Sequence, residues 1–197
     1  MGATAPARTA GRMAMGLPCG RRSPRGRERW YVLRVPEGRE RTLCEKLKHL
    51  VPESLLKDAF ALYKERWMKR GGTWFLEPVV MYRGYAFAIS SDAAGLAKAL
   101  AGLTLPVELA GTEARSWAPL SDAAAAWYAR MADSRHVIRS STAVIVDGVL
   151  RVTEGPLVGQ EARISKIDRH RRTCRVTVED ADGGFSEQAP IDVPFKS

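Results

Sequence analysis

From Leu150 to Val178 the chain reads LRVTEGPLVGQEARISKIDRHRRTCRVTV, and this run restricts the fold more than any other. Two stretches of alternating apolar and polar residues flank a turn built on Gly155, Pro156 and Gly159. Alternation of period two marks half-buried strands, with Val152 on the inner side before the turn and Ala162 and Ile164 after it. Gly155 can take φ > 0 and Pro156 fixes the next φ, which makes a tight corner, while Gly159 lets backbone approach closely. The following KIDRHRRTCRV predicts a hairpin with Ile167 and Val176 pointing inward. Strands are expected at about 149–153, 161–167, 173–179 and 189–193. Four or five short strands within about 50 residues can hide their edges by closing into a small barrel.

Upstream the periodicity changes. WYVLRV (Trp30–Val35) reads as a strand and Pro36-Glu37-Gly38 as a turn. A helix follows from about Arg39 to Val51, where Leu43, Cys44, Leu47, Leu50 and Val51 form one apolar stripe and Pro52 ends it. AFALYKERWMKR predicts a strand running to the turn Gly71-Gly72. TWFLEPVVMYRGYAFAIS supplies two more strands, broken near Glu77-Pro78. Ser90 or Ser91 can cap the helix DAAGLAKAL and Gly102 can end it. LPVELAG reads as a short edge strand. Ser121 is a natural cap for the last helix, whose dipole suits Asp122. The order β-α-β-β-β-α-β-α over 29–131 predicts an α+β sandwich, with helices packed on an antiparallel-rich sheet. Residues 132–146, ADSRHVIRSSTAVIV, carry a Ser/Arg patch and read as a linker with little to bury between independently moving halves. The expected organisation is therefore a leader over 1–28, an α+β domain over 29–131, a linker over 132–146 and an all-β domain over 147–197.

Charge is unevenly placed along the chain. The formal net charge is +9, and residues 1–29 hold seven Arg against Glu28. This leader is rich in Gly, Pro, Ala and Arg, has no periodic hydrophobics and cannot bury a core. It also lacks the apolar segment of about 7–15 residues that an export signal needs, and Met13 or Met15 could serve as the start. No apolar run approaches the roughly 18 residues of a membrane span. Excess positive charge points to an anionic partner, nucleic acid first, or else to a solvated basic tail. Cys19, Cys44 and Cys174 have no metal-like spacing and fit free thiols in a reducing cytosol. His49, His136 and His170 lie far apart. No Walker loop, GxSxG, HExxH or GxGxxG occurs, so the sequence offers neither a catalytic constellation nor a cofactor or metal motif, and no enzyme is expected.

The turn and hairpin over roughly 150–176 resemble the KOW motif of small SH3-like barrels in transcription and ribosomal proteins. WYVLRVPEGRE resembles the first strand, turn and helix start of NusG N-terminal domains. MYRGYAFA resembles their FFPGYVFV-type strand, and APLSDAAAAWYARM their final PISD-led helix. Three segments in order, then a KOW-like run, give a resemblance to NusG-type transcription elongation factors over about 165 residues. Two departures stand out. Arg83 replaces the Pro before Gly-Tyr, and DADGGFSEQAPIDV replaces the usual FGRxTPVEL-like hairpin. A specialised paralogue of the RfaH or LoaP type fits better than the housekeeping factor.

The resemblance implies a cytoplasmic monomer that suppresses pausing or termination by binding, without bond-making chemistry or a cofactor. It implies docking of the N-terminal domain on the clamp helices of bacterial RNA polymerase, with Tyr82, Tyr85 and Phe87 in the polymerase-facing strand. Tyr85 and Phe87 equally suit that domain's own core, as do Trp30, Tyr31 and Leu33. It also implies that Lys69 and Arg70, between Trp67 and Trp74, lie near upstream DNA. The barrel would receive ribosomal or termination factors. Read from charge alone, Arg163, Lys166, Arg169, Arg171, Arg172 and Arg175 surround one acid, Asp168, although 147–197 holds eight basic and nine acidic residues. So polarised a surface suits nascent leader RNA, an acidic protein face, or simply solvent. The rival function is a ribosomal-type KOW protein that binds RNA without polymerase; a general housekeeping NusG is the other alternative.

Overall fold

Strand β1 (Arg29–Arg34) is the first element among the described residues, and its alternation decides the architecture. Tyr31 and Leu33 go to one side of the sheet and Val32 to the other, all three buried. The computed structural model describes residues 26–111, 117–180 and 183–196, so the predicted leader lies outside the described residues apart from 26–28. Among the described residues the protein is α+β, with three helices and three mostly antiparallel sheets.

Helix α1 (Glu40–Leu50) presents Leu43, Cys44 and Leu47 to the core, as the stripe predicts, but Leu50 of that stripe is exposed, and Val51 is buried just beyond the helix. Strands β2 (Asp58–Phe60), β3 (Tyr63–Arg70), β4 (Thr73–Val80) and β5 (Tyr85–Ser90) follow. Gly71 and Gly72 both have positive φ, which suits a two-residue hairpin turn between β3 and β4. The expected break at Glu77-Pro78 does not occur; β4 continues to Val80 and the chain turns at 81–84. Proline is tolerated because β4 is an edge strand, paired only with β3. Helix α2 (Ala93–Ala101) is capped by Asp92, whose carboxylate accepts from Gly95 N at 2.9 Å. Ser90 instead accepts from Asp92 N, so the cap lies beyond the two expected serines. Strand β6 (Glu108–Leu109) is the predicted edge strand, and α3 (Asp122–Met131) is capped by Ser121 as expected.

The first sheet has the order β2-β5-β1-β6. One face packs Tyr31, Leu33, Ala86 and Ala88 against Leu43 and Leu47 of α1 and Leu96 and Leu100 of α2. The other face packs Val32, Phe60 and Phe87 against Trp127, Tyr128 and Met131 of α3.

The expected linker is largely structured. Strand β7 (Val137–Ile138) pairs in parallel with Tyr63 and Lys64 of β3. Strand β8 (Ser141–Val146) buries Ser141 and Ala143 and joins the C-terminal sheet. Ser/Arg composition pointed to a linker, but Val137, Ile138 and Ala143 have apolar surface to bury and strand partners to meet. His136, at φ 58, stacks on Phe60 with ring centroids 3.9 Å apart and fixes the chain direction into β7.

The C-terminal sheet has the order β10-β11-β12-β8-β9, with β9 (Val149–Glu154), β10 (Ile164–Asp168), β11 (Thr173–Val178) and β12 (Phe185–Lys196). A 3-10 turn over Glu161–Arg163 replaces the start of the expected strand and leaves Ala162 exposed. Its Glu161 carboxylate accepts from Val152 N at 3.1 Å and ties the β9 end of the sheet to the entry of β10. Gly155 and Gly159 both have positive φ, but their roles differ. A Cβ on Gly155 would lie 2.6 Å from Ser141 Oγ and 2.7 Å from Ser141 Cα, whereas Gly159 faces open space. Close approach therefore belongs to Gly155, and Gly159 serves backbone conformation alone.

Candidate binding surface

The residues implied to face polymerase do not share one environment. Phe87 is fully buried under α3, a core residue in its central strand. Tyr85 is half-buried and packs on the same core. Tyr82, in the turn before β5, reaches the C-terminal sheet. Its hydroxyl lies 2.6 Å from that of Tyr128 and donates to the Glu187 carboxylate on β12. Tyr128 also donates to Glu187 at 3.2 Å. Burial pushes both phenols far above their ordinary range, helped at Tyr82 by Tyr128 and then Glu187 and at Tyr128 by Glu187, so both are held neutral. As a contact for another protein, Phe87 is corrected: β5 is a central strand covered on both faces, and Phe87 lies beneath α3.

Phe185 of β12 completes the junction. It stacks on Tyr128 at 5.9 Å and meets Trp127 edge-on at 5.8 Å. One continuous apolar cluster runs from Val32 and Phe87 through α3 to Leu157, Val176 and Ile191. The two halves are therefore packed together rather than separated by a free linker. Polar contacts extend the junction: Lys64 Nζ donates to Gln188 O at 3.0 Å and Trp67 Nε1 to Ser140 Oγ at 3.1 Å.

The expected nucleic-acid residues fall into two groups. Lys69 and Arg70 are exposed at the β3–β4 tip, where Lys69 lies 5.7 Å from the Trp74 ring and Arg70 5.5 Å from Phe75. Arg163, Lys166, Arg169, Arg171 and Arg175 are exposed on the β10–β11 side of the C-terminal sheet. Arg169 Nε donates to Val193 O, and Arg171 lies 3.7 Å from Asp168. Arg172 departs from this pattern. Its guanidinium sits 4.5 Å from the Trp67 ring and 4.6 Å from the Trp74 ring, and it pairs with Asp192 at 2.9 Å. Three of its recognition modes are thus spent inside the molecule, so Arg172 joins the two halves and is removed from the set of free phosphate contacts. The same contacts put a cation where a base would stack on Trp67 or Trp74, although Trp74 remains partly exposed.

Among the described residues, no three His, Cys, Asp or Glu side chains gather as a metal site would require. Burial raises the Cys44 and Cys174 thiols to about 12, which makes them poor nucleophiles at neutral pH. No described helix is long and apolar enough to cross a membrane.

Sequence reasoning missed Glu187, Phe185 and Tyr128 as a unit. Each is unremarkable alone, and only the tertiary fold brings residues 82, 128 and 187 together. No family model matches the chain, and no curated protein is detectably similar to it.

Proposed function

We propose that the chain is a NusG-type transcription elongation or antitermination factor, a specialised paralogue of the RfaH or LoaP type, in a closed form. The reading rests first on the MYRGYAFA segment. It forms the turn and a central strand of an α+β half, and an all-β half packs directly against its Tyr82. The open sheet with its Glu161 tie is, in this reading, the KOW barrel. Polymerase would compete with β12 for Tyr82 and its surroundings. A partner that binds only the open form sees an affinity reduced by the open fraction, so separation of the halves sets the strength of binding.

Capture of bacterial core RNA polymerase by the full chain tests this. Phe185→Ala loosens β12 from α3 without altering the helix-bearing half, and should raise capture several-fold over wild type. Adding Tyr82→Ala to that background should lower it again. Absence of capture by every form, with RNA retained instead, would favour the ribosomal-type KOW protein.

A further inference from the structure

Between β3 and the β10–β11 hairpin tip lies a cleft of about 610 Å³, walled by both halves of the molecule. Lys64, Arg66 and Arg83 line it from the helix-bearing half, and His170, Arg171 and Arg172 from the C-terminal sheet. Glu65 is the one carboxylate on its wall, and it is already engaged by Arg139 at 2.9 Å and by Ser140 N at 2.7 Å. Among the described residues Arg66, Arg83 and Lys64 make no ion pair within 4.0 Å. Lys64 reaches only a carbonyl, Gln188 O. Burial depresses its ammonium below the ordinary lysine range, as expected for a charge held with too little compensation.

We propose that this cleft is a binding site for a small ligand carrying an oligophosphate group, such as a nucleoside triphosphate, held jointly by the two halves. Three lines of reasoning favour it. Lys64, Arg66 and Arg83 converge on Arg171, whose contact with Asp168 is long at 3.7 Å, while Arg172 stays committed to Asp192 and forms only part of the wall; this local excess of positive charge suits a compact polyanion. The volume fits a nucleotide-sized molecule. Arg172 already lies against the Trp67 and Trp74 rings and Lys69 near Trp74, so a stacking base would compete with a resident cation, while phosphate oxygens need no ring. A ligand gripping both walls binds the closed molecule better than an open one, and by linkage it holds the molecule closed. The site stands independently of any polymerase contact.

The test is calorimetric titration of the full chain at low salt with inorganic triphosphate, ATP and GTP, and with a ten-nucleotide RNA. Saturable one-to-one binding of triphosphate is expected. Tighter ATP or GTP binding would assign part of the site to the nucleoside, and equal binding would assign it to the phosphates alone; either supports the proposal. Arg83→Gln and Arg171→Gln, both at exposed positions on opposite walls, should each weaken triphosphate at least fivefold while leaving the far-ultraviolet circular dichroism unchanged. Phe185→Ala, outside the cleft, should weaken it too by loosening the closed form. Three results would overturn the proposal: no saturable binding of triphosphate or nucleotide, binding of the RNA alone, or full affinity in both the Arg83→Gln and Arg171→Gln proteins.

Discussion

The two faces of the first sheet are finished in different ways. The face under α1 and α2 is closed by residues of its own half, with Leu33, Leu47 and Leu96 fully buried within it. The face under α3 is left incomplete by the helix-bearing half, and Phe185, Leu157 and Ile191 of the C-terminal half extend its cluster. One strand, β1, thus serves a private core and a shared one. Damage to the private side should melt one half, whereas damage at the junction should separate two halves that remain folded.

The largest expected effect sharpens that contrast. Phe87→Ala should cost about 3–5 kcal/mol, and Leu47→Ala about 2–5 kcal/mol, in denaturant unfolding. Hydrogen exchange separates them. Leu47→Ala should accelerate exchange mainly in the helix-bearing half, while Phe87→Ala should also release amides of β12. Identical exchange patterns would erase the distinction between the two faces.

Gly155→Ala comes next. Its Cβ would meet Ser141 backbone and side chain, and its φ of 94 is already unfavourable for alanine. A loss of roughly 2–4 kcal/mol is expected in the C-terminal sheet, against about 1 kcal/mol for Gly159→Ala, which meets no neighbour. Equal losses would mean that positive φ, and not the close approach to β8, governs both.

Arg172→Ala removes two aromatic contacts and one ion pair at the junction. About 1–2 kcal/mol of closed-form stability should disappear, read as faster independent tumbling of the halves by NMR relaxation. Arg172→Lys should not restore it, because an ammonium lacks the planar fork that meets both indole rings and still reaches Asp192.

The smallest effect concerns pH. Burial lowers the His136 pKa from its ordinary 6.5, opposed by Asp58, whose Oδ2 lies 3.6 Å from Nε2. The folded state holds the imidazole neutral, so the unfolded chain takes up its proton first as pH falls. Stability should therefore decline from about pH 6.5 downward until the folded imidazole also protonates. His136→Asn, which tolerates the positive φ, should flatten this part of the pH–stability curve.

The helices and most strands were legible because each rests on local periodicity. The stripe Leu43–Cys44–Leu47 and the cap at Ser121 are examples. What was not legible depended on partners distant in sequence. Pro78 looked like a break because nothing local reveals that its strand lies on an edge. Residues 132–146 read as a linker from their Ser/Arg patch, whereas Asp147 and Gly148 both take positive φ and turn β8 into β9, which local composition does not reveal. At the candidate site, alternation alone could not tell that Phe87 faces α3. The contact of Arg172 with Trp67 and Trp74 spans roughly a hundred residues of chain and has no local signature.

Strand β12 has a consequence in time. It pairs with β11 along its first half and with β8 along its second, and it carries Phe185, Glu187 and Gln188 to the other half. On a ribosome the helix-bearing half is complete in sequence some fifty residues before β12 appears, and domains generally fold as they emerge. Until then neither the C-terminal sheet nor the junction can form. Each newly made molecule therefore passes through an interval in which Tyr82 and the α3 face are uncovered, the length of that interval set by the speed of translation.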